Sequence, residues 1–234
     1  TVVVPRLLLH GYDDRMTRAL RHLRPADALD DVRAIVDRVS ALGEAVTVVG
    51  HSLGATLAIG TAMREPAVAR IVPVAPFMGI ASVPMELHPL LIGAMESIPD
   101  VFLWWDPVRR ERLQPAHGYP RYPLRALATG ISIADAARSS AHHPPHARGI
   151  DLVINESESS VNNRTALRLA SDWRACGASV AVHRLRGLGR SHDIIEPDRA
   201  PALLAQHVLV GIIDGPHVAA DRSHDVGVPA GKAG

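Results

Sequence analysis

An apolar run, a glycine-flanked serine and a helical stretch follow one another without a break: Val46-Thr47-Val48-Val49, then Gly50-His51-Ser52-Leu53-Gly54, then residues 55–64. Few folds accommodate that succession. The run has no polar alternation and predicts an inner parallel strand covered on both faces. The G-x-S-x-G that follows has the context of a nucleophile elbow, a strained strand-to-helix turn that lifts a serine out of the sheet. Both glycines are expected to be required there, because a side chain at either flank would meet neighbouring backbone. At that place the helix dipole favours negative charge beside Ser52, and the N–H of Leu53 is the candidate oxyanion donor. A chance match in a glycine-bearing turn is the competing explanation.

The rest of the chain repeats the alternation. Thr1-Val2-Val3-Val4-Pro5 reads as a short buried strand ended by proline. In residues 26–42 the apolar positions Leu29, Val32, Val36 and Val39 recur at three and four with Gly43 behind them, which predicts a helix with one buried face. Ile71-Val72-Pro73-Val74, Leu152-Val153-Ile154 and Val180-Ala181-Val182 read as further strands, the last two flanking a helix over residues 164–176. Strand and helix in alternation predict an α/β architecture with a mostly parallel sheet. Residues 1–78 and 148–213 are expected to form the core. Residues 79–147, rich in proline and lacking strand-like runs, are expected to form a helical cap, and residues 214–234 a disordered tail.

Composition narrows the classes of function. The 234 residues fit one domain, 47% of them are hydrophobic and the formal net charge is +1, so a disordered chain and a nucleic-acid binder are both disfavoured. A small-molecule partner is expected. One cysteine, Cys176, excludes an internal disulfide and is compatible with a reducing cytoplasm, the expected location. An apolar run of about 18 residues, as a spanning helix needs, is absent.

A serine hydroxyl needs a base, and the base needs an acid to orient it. In this fold the chain order is serine, acid, histidine. Of thirteen histidines, His192 is the best placed, since it follows the last strand-like run and precedes a C-terminal helix. The loop after Leu152-Val153-Ile154 offers Glu156 and Glu158 as the acid, and spacing alone does not choose between them. His51, Trp104 and Trp105 are candidate substrate contacts, although the tryptophans could equally anchor the cap on the core. His142, His143 and His146 lie close together, but Pro144 and Pro145 break any helical presentation, and no metal or cofactor is expected.

These residues resemble the carboxylesterase and lysophospholipase-like branch of the α/β-hydrolases, related to monoacylglycerol lipases and serine-aminopeptidase-like proteins. Beyond the elbow, the resemblance lies in Val4-Pro5-Arg6-Leu7, Asp14-Arg15-Met16-Thr17, Phe102-Leu103-Trp104-Trp105-Asp106-Pro107 and Tyr119-Pro120-Arg121. It continues in Asn155-Glu156 with Val161-Asn162-Asn163, and in His192-Asp193-Ile194-Ile195. It implies an α/β-hydrolase fold with a cap insertion, and hydrolysis of an acyl ester or lipid-like substrate by a serine hydrolase. The branch's acid stands three residues before the valine of this loop, which is Glu158, where aspartate is more usual. The resemblance also implies that residues 2–11 match the fourth strand of the branch and its following loop. His10-Gly11 lies only about forty residues before Ser52, and the usual elements between an oxyanion loop and the elbow need roughly sixty or more. The first three strands and a second oxyanion donor are therefore expected to be missing from this chain. Rivals to ester hydrolysis are cleavage of a thioester or peptide by the same three residues, and a non-catalytic remnant.

Overall fold

The computed structural model describes residues 1–98, 101–112, 118–196 and 200–226. The first long element is α1 (Pro25–Val39), which opens on a proline whose missing N–H costs nothing at that position. It buries Leu29, Val32 and Val36. Then come β1 (Val46–His51), α2 (Leu53–Ala62) and β2 (Val68–Val74). The inserted region holds α3 (His88–Ser97), β3 (Phe102–Trp104), β4 (Arg121–Pro123) and α4 (Leu124–Ser139). The second half returns to alternation with β5 (Gly149–Asn155), α5 (Asn163–Ala175), β6 (Val180–Arg186), α6 (Ala200–Asp214) and β7 (Asp221–Asp225).

The central sheet has five strands in the order β1-β2-β5-β6-β7, and every pairing in it is parallel. Side chains alternate between its faces, as the two-residue period of a strand requires. Ile71, Ile150, Leu152, Ile154, Val180 and Val182 join a core with residues of α1, α2, α4 and α5. Val72, Val74, Val153 and Leu185 point the other way, onto Leu209 and Ile212 of α6. The sheet is thereby sandwiched between helices. Among the described residues no helix is long and apolar enough to cross a membrane.

Several local expectations are corrected. Residues 1–6 form no strand, and Val2 and Val4 are 91% and 90% exposed, because the segment finds no neighbouring strand to complete its backbone hydrogen bonds. The strand β1 is not an inner one: among the described residues it pairs only with β2, at the edge of the sheet, and leaves Val49 45% exposed. An apolar run reports affinity for a sheet, and its place in the sheet is decided by tertiary pairing. A cavity of about 610 Å³ borders that free edge, running from Ser52 past His10 and Val36. In the expected cap, β3 and β4 pair as an antiparallel ribbon where no strand was anticipated.

The last element of that region, α4, packs into the main core. Close approach is possible because Gly60 of α2 faces it: a Cβ there would lie 3.0 Å from Ile133 and 2.8 Å from Leu29. The expected tail holds a strand, since β7 adds to β6 in parallel register. Residues 227–234 lie outside the described residues.

Candidate active site

Three loops at the carboxyl edge of the sheet supply the site, following β1, β5 and β6 respectively. Ser52 occupies the turn between β1 and α2 with φ 53° and ψ −118°, a left-handed conformation that a residue with a Cβ adopts only under constraint. The constraint is local. Its N–H donates to the carbonyl of Val74, 3.0 Å away, and its own carbonyl accepts from Thr56 and Phe77.

Gly50 makes the turn possible, because a Cβ on it would lie 2.2 Å from the carbonyl oxygen of Gly54. Gly54 differs from expectation: a Cβ there would meet nothing within 4 Å, so of the two glycines only the first is sterically required. Gly50→Ala is accordingly expected to abolish the folded turn, whereas Gly54→Ala should keep the fold and change its stability by no more than about 1 kcal/mol. Thermal melts of the two variants side by side check this.

His192 lies in the loop after β6, and its Nε2 is 2.7 Å from the Oγ of Ser52. Its Nδ1 stands 3.1 Å from Oε2 of Glu158, whose side chain is fully buried. The carboxylate takes the Nδ1 proton as its hydrogen-bond donor, which leaves Nε2 free to accept from the serine hydroxyl. Oε1 of Glu158 accepts from the N–H groups of Ser159 and Ser160 at 3.0 and 2.7 Å. Burial alone would push this carboxyl up, but the hydrogen bonds from His192 and Ser160 outweigh it and hold the group below its ordinary value. Glu158 is therefore a charged acceptor at neutral pH.

The other candidates are placed as follows. Glu156 is exposed and turned away, with Oε2 accepting from Nε of Arg186 at 2.7 Å. His51 lines the cavity beside Ser52, and its Nε2 lies 3.2 Å from the carbonyl of His192, with the two ring centroids 5.1 Å apart. Burial, and then the neighbouring His192, push the His51 imidazole below its ordinary value, which suits a neutral N–H donor. Trp104 belongs to β3 with the Arg110 guanidinium 6.0 Å from its ring, and Trp105 is 58% exposed against Tyr122 at 4.0 Å. Neither has a described contact with Ser52 or His192. Leu53 heads α2, so its N–H has no acceptor within the helix. A residue that sequence reasoning missed is Asn155, fully buried at the end of β5 and bonded to the His192 loop. Its signal was a polar side chain closing an otherwise apolar strand.

Solved structures with the same fold include a monoacylglycerol lipase from Paleococcus ferrophilus, 18% identical, covering 82% of this chain and 76% of that one with a TM-score of 0.62. A soluble variant of the monoglyceride lipase from Saccharomyces cerevisiae is 12% identical, covers 89% of this chain and 75% of its own, and has a TM-score of 0.66. A thermostable carboxyl esterase from Bacillus coagulans is 13% identical, with coverages of 81% and 70% and a TM-score of 0.58. Identities this low establish shared architecture. Among curated protein sequences none is significantly similar. The sequence model of the alpha/beta hydrolase family matches residues 1–230, and with the five-stranded parallel sheet and its flanking helices this places the chain in the α/β-hydrolase family.

Proposed function

We propose that this chain is a serine hydrolase that cleaves carboxylic esters through a covalent acyl-enzyme. The observation that carries the reading is the relay Ser52–His192–Glu158, with 2.7 and 3.1 Å between successive polar atoms and a buried acid at its end. Ser52 Oγ attacks the ester carbonyl carbon while His192 Nε2 takes the hydroxyl proton, and Glu158 stabilises the resulting imidazolium. The oxyanion of the tetrahedral intermediate forms beside the head of α2, where the dipole and the Leu53 N–H offset its charge. Collapse expels the alcohol, which leaves with the proton from His192. Water then repeats the sequence on the acyl-serine and frees the acid.

Acyl or lipid-like esters are the preferred class. Lipases and esterases share the architecture, and the inserted region exposes the apolar side chains of Leu90, Trp105 and Val108 at 74%, 58% and 92%.

The test is pre-steady-state hydrolysis of p-nitrophenyl butyrate, with an acyl thioester and an aminoacyl amide alongside. A burst of one p-nitrophenol per chain, and an acyl adduct on the peptide containing Ser52, are expected. Folded protein that gives neither a burst nor an adduct with a fluorophosphonate would overturn the proposal, and faster turnover of the thioester or amide would move it to that bond.

A further inference from the structure

The loop that carries His192 takes its shape from tethers outside itself. Gly187 and Gly189 both have left-handed φ values, 86° and 60°, and the segment from the end of β6 to His192 has no regular structure. Leu188 anchors it to the core below. Leu188 alone cannot set the height and tilt of an imidazole four residues on.

What holds the upper part of the loop comes from β5. Asn155 is 0% exposed and stands at the last position of that strand. Its Nδ2 donates to the carbonyl of Gly189 at 2.9 Å and to the carbonyl of Ser191 at 2.7 Å. Carbonyls only accept, so the amide orientation follows from its partners. Its Oδ1 accepts from the N–H of Ser157 at 3.2 Å, inside the loop that bears Glu158. The backbone carbonyl of the same residue accepts from the N–H of Glu158 at 3.1 Å and from Nδ2 of Asn163 at 2.8 Å. One residue therefore ties the acid loop to the base loop with both ends of its carboxamide. A second donor, Nε2 of His51, reaches the carbonyl of His192 itself.

We infer that Asn155, seconded by His51, is a positioning residue for proton transfer between Ser52 and His192. The inference rests on the ester-hydrolase reading and deepens it. Asn155 touches no reacting atom. Its carboxamide fixes the backbone on the amino side of His192, His51 fixes the backbone at His192, and the two together set the 2.7 Å approach of Nε2 to Ser52 Oγ. An error of about 1 Å in such an approach is enough to cost on the order of 10²-fold in rate. The saturation of the carboxamide argues against mere space-filling, since an apolar residue of similar size would leave the carbonyls of Gly189 and Ser191 without the donors that tie them to β5.

The experiment compares wild type, Asn155→Asp, Asn155→Ser and His51→Phe, with active sites counted by fluorophosphonate titration and turnover expressed per titrated site. Asp keeps the shape of Asn155 but sets a carboxylate oxygen against the two loop carbonyls, so kcat per site is expected to fall on the order of 10²-fold with KM little changed. Ser keeps one donor and should fall between Asp and wild type. His51→Phe loses one bond and should lower kcat per site in the same sense, by less. A residue that only stabilises the fold would give fewer titratable sites with normal turnover at each. That outcome in Asn155→Asp, or in Asn155→Ser should the carboxylate prevent folding, overturns the inference. Failure of the ester-hydrolase reading is seen separately, as wild-type protein that neither titrates nor turns over ester.

Discussion

His192→Ala is expected to lower ester turnover by about 10⁵–10⁶-fold without unfolding the chain, and Ser52→Ala to do the same within error. The equality is the informative part. A relay loses its whole effect when either its nucleophile or its base is removed, so the double variant should be no worse than either single one. Glu158 allows a finer test, because its replacement can misdirect the imidazole as well as deprive it of charge. In Glu158→Gln the amide N–H would face Nδ1 of His192, now 3.1 Å from a carboxylate oxygen, and would favour the tautomer whose Nε2 carries a proton toward Ser52. A serine facing a donor cannot hand over its proton. The Gln variant is therefore expected to lose about 10⁴-fold in kcat. Glu156→Gln, whose carboxylate serves Arg186 at the surface, should stay within a factor of a few of wild type. Steady-state rates on a soluble ester decide the matter, and a Glu156 variant more damaged than the Glu158 variant would reassign the acid.

Much of the fold is legible in the sequence because the elements that form it are locally consistent. Residues 26–42 carry a helical period and a glycine stop, and the chain runs there as α1 followed by one short turn of 3₁₀ helix. The elbow is legible for a stronger reason. Ser52 is held at φ 53° between a strand and a helix, and only glycine at position 50 lets the turn close, so the chemistry and the backbone leave the same mark. The three residues of the relay are scattered over 140 positions, and it is the parallel register of β1, β2, β5 and β6 that brings their loops to one edge.

What the sequence conceals is set by partners distant along the chain. Asp221-Arg222-Ser223-His224-Asp225 has nothing of a strand in its composition, yet it forms β7. The pairing with β6 supplies its backbone partners, and His224 Nε2 sits 3.1 Å from Nδ1 of His183 on the neighbouring strand. A polar strand is tolerated at a sheet edge because its outward side chains keep their water. In the same way His51 reads as a residue beside a nucleophile and becomes a tether for the base loop, a role visible only once the loop after β6 is folded over it.

The hub of that hidden region is Asp151, and its loss is expected to be the most damaging change to stability outside the main core. Its carboxylate is 3% exposed and accepts from three groups: Nε of Arg70 at 2.7 Å, Nε2 of His183 at 3.0 Å and Nδ1 of His217 at 2.9 Å. Arg70 spends its other nitrogens on the carbonyls of Ile212, Ile213 and Gly215, closing the C-terminus of α6, while Nε2 of His217 meets Ser179 Oγ at 2.9 Å. The series Ser179, His217, Asp151 has the residue types of a relay but the wrong surroundings. It lies by the amino ends of β5 and β6, beside the carbonyl end of α6, whose dipole opposes an oxyanion. Its work is to tie the chain after α6 onto the sheet.

Asp151→Asn would set an amide N–H against groups that are themselves donors and leave Arg70, 14% exposed, without its counter-charge. Breaking one side of a buried pair costs about 3–5 kcal/mol, a fall in Tm of roughly 10 °C for a chain of this size. Burial raises the Asp151 carboxyl, but its three hydrogen bonds and the Arg70 charge prevail and hold it down at about 2, against 3.8 for the free side chain. A folded-state value below the unfolded one means stability that is fully present above the unfolded value and is lost as pH falls toward about 2. His224, which burial holds below its ordinary value of 6.5, loses stability on acidification in the same sense, but from a higher pH, and it does so in both proteins. The difference between wild type and Asp151→Asn isolates the carboxylate. Urea denaturation at several pH values should show that difference constant above about pH 5 and shrinking between about pH 4 and pH 2. A variant as stable as wild type at neutral pH, or a difference that keeps its full size in acid, would mean that the three donors are held by something other than the charge of Asp151.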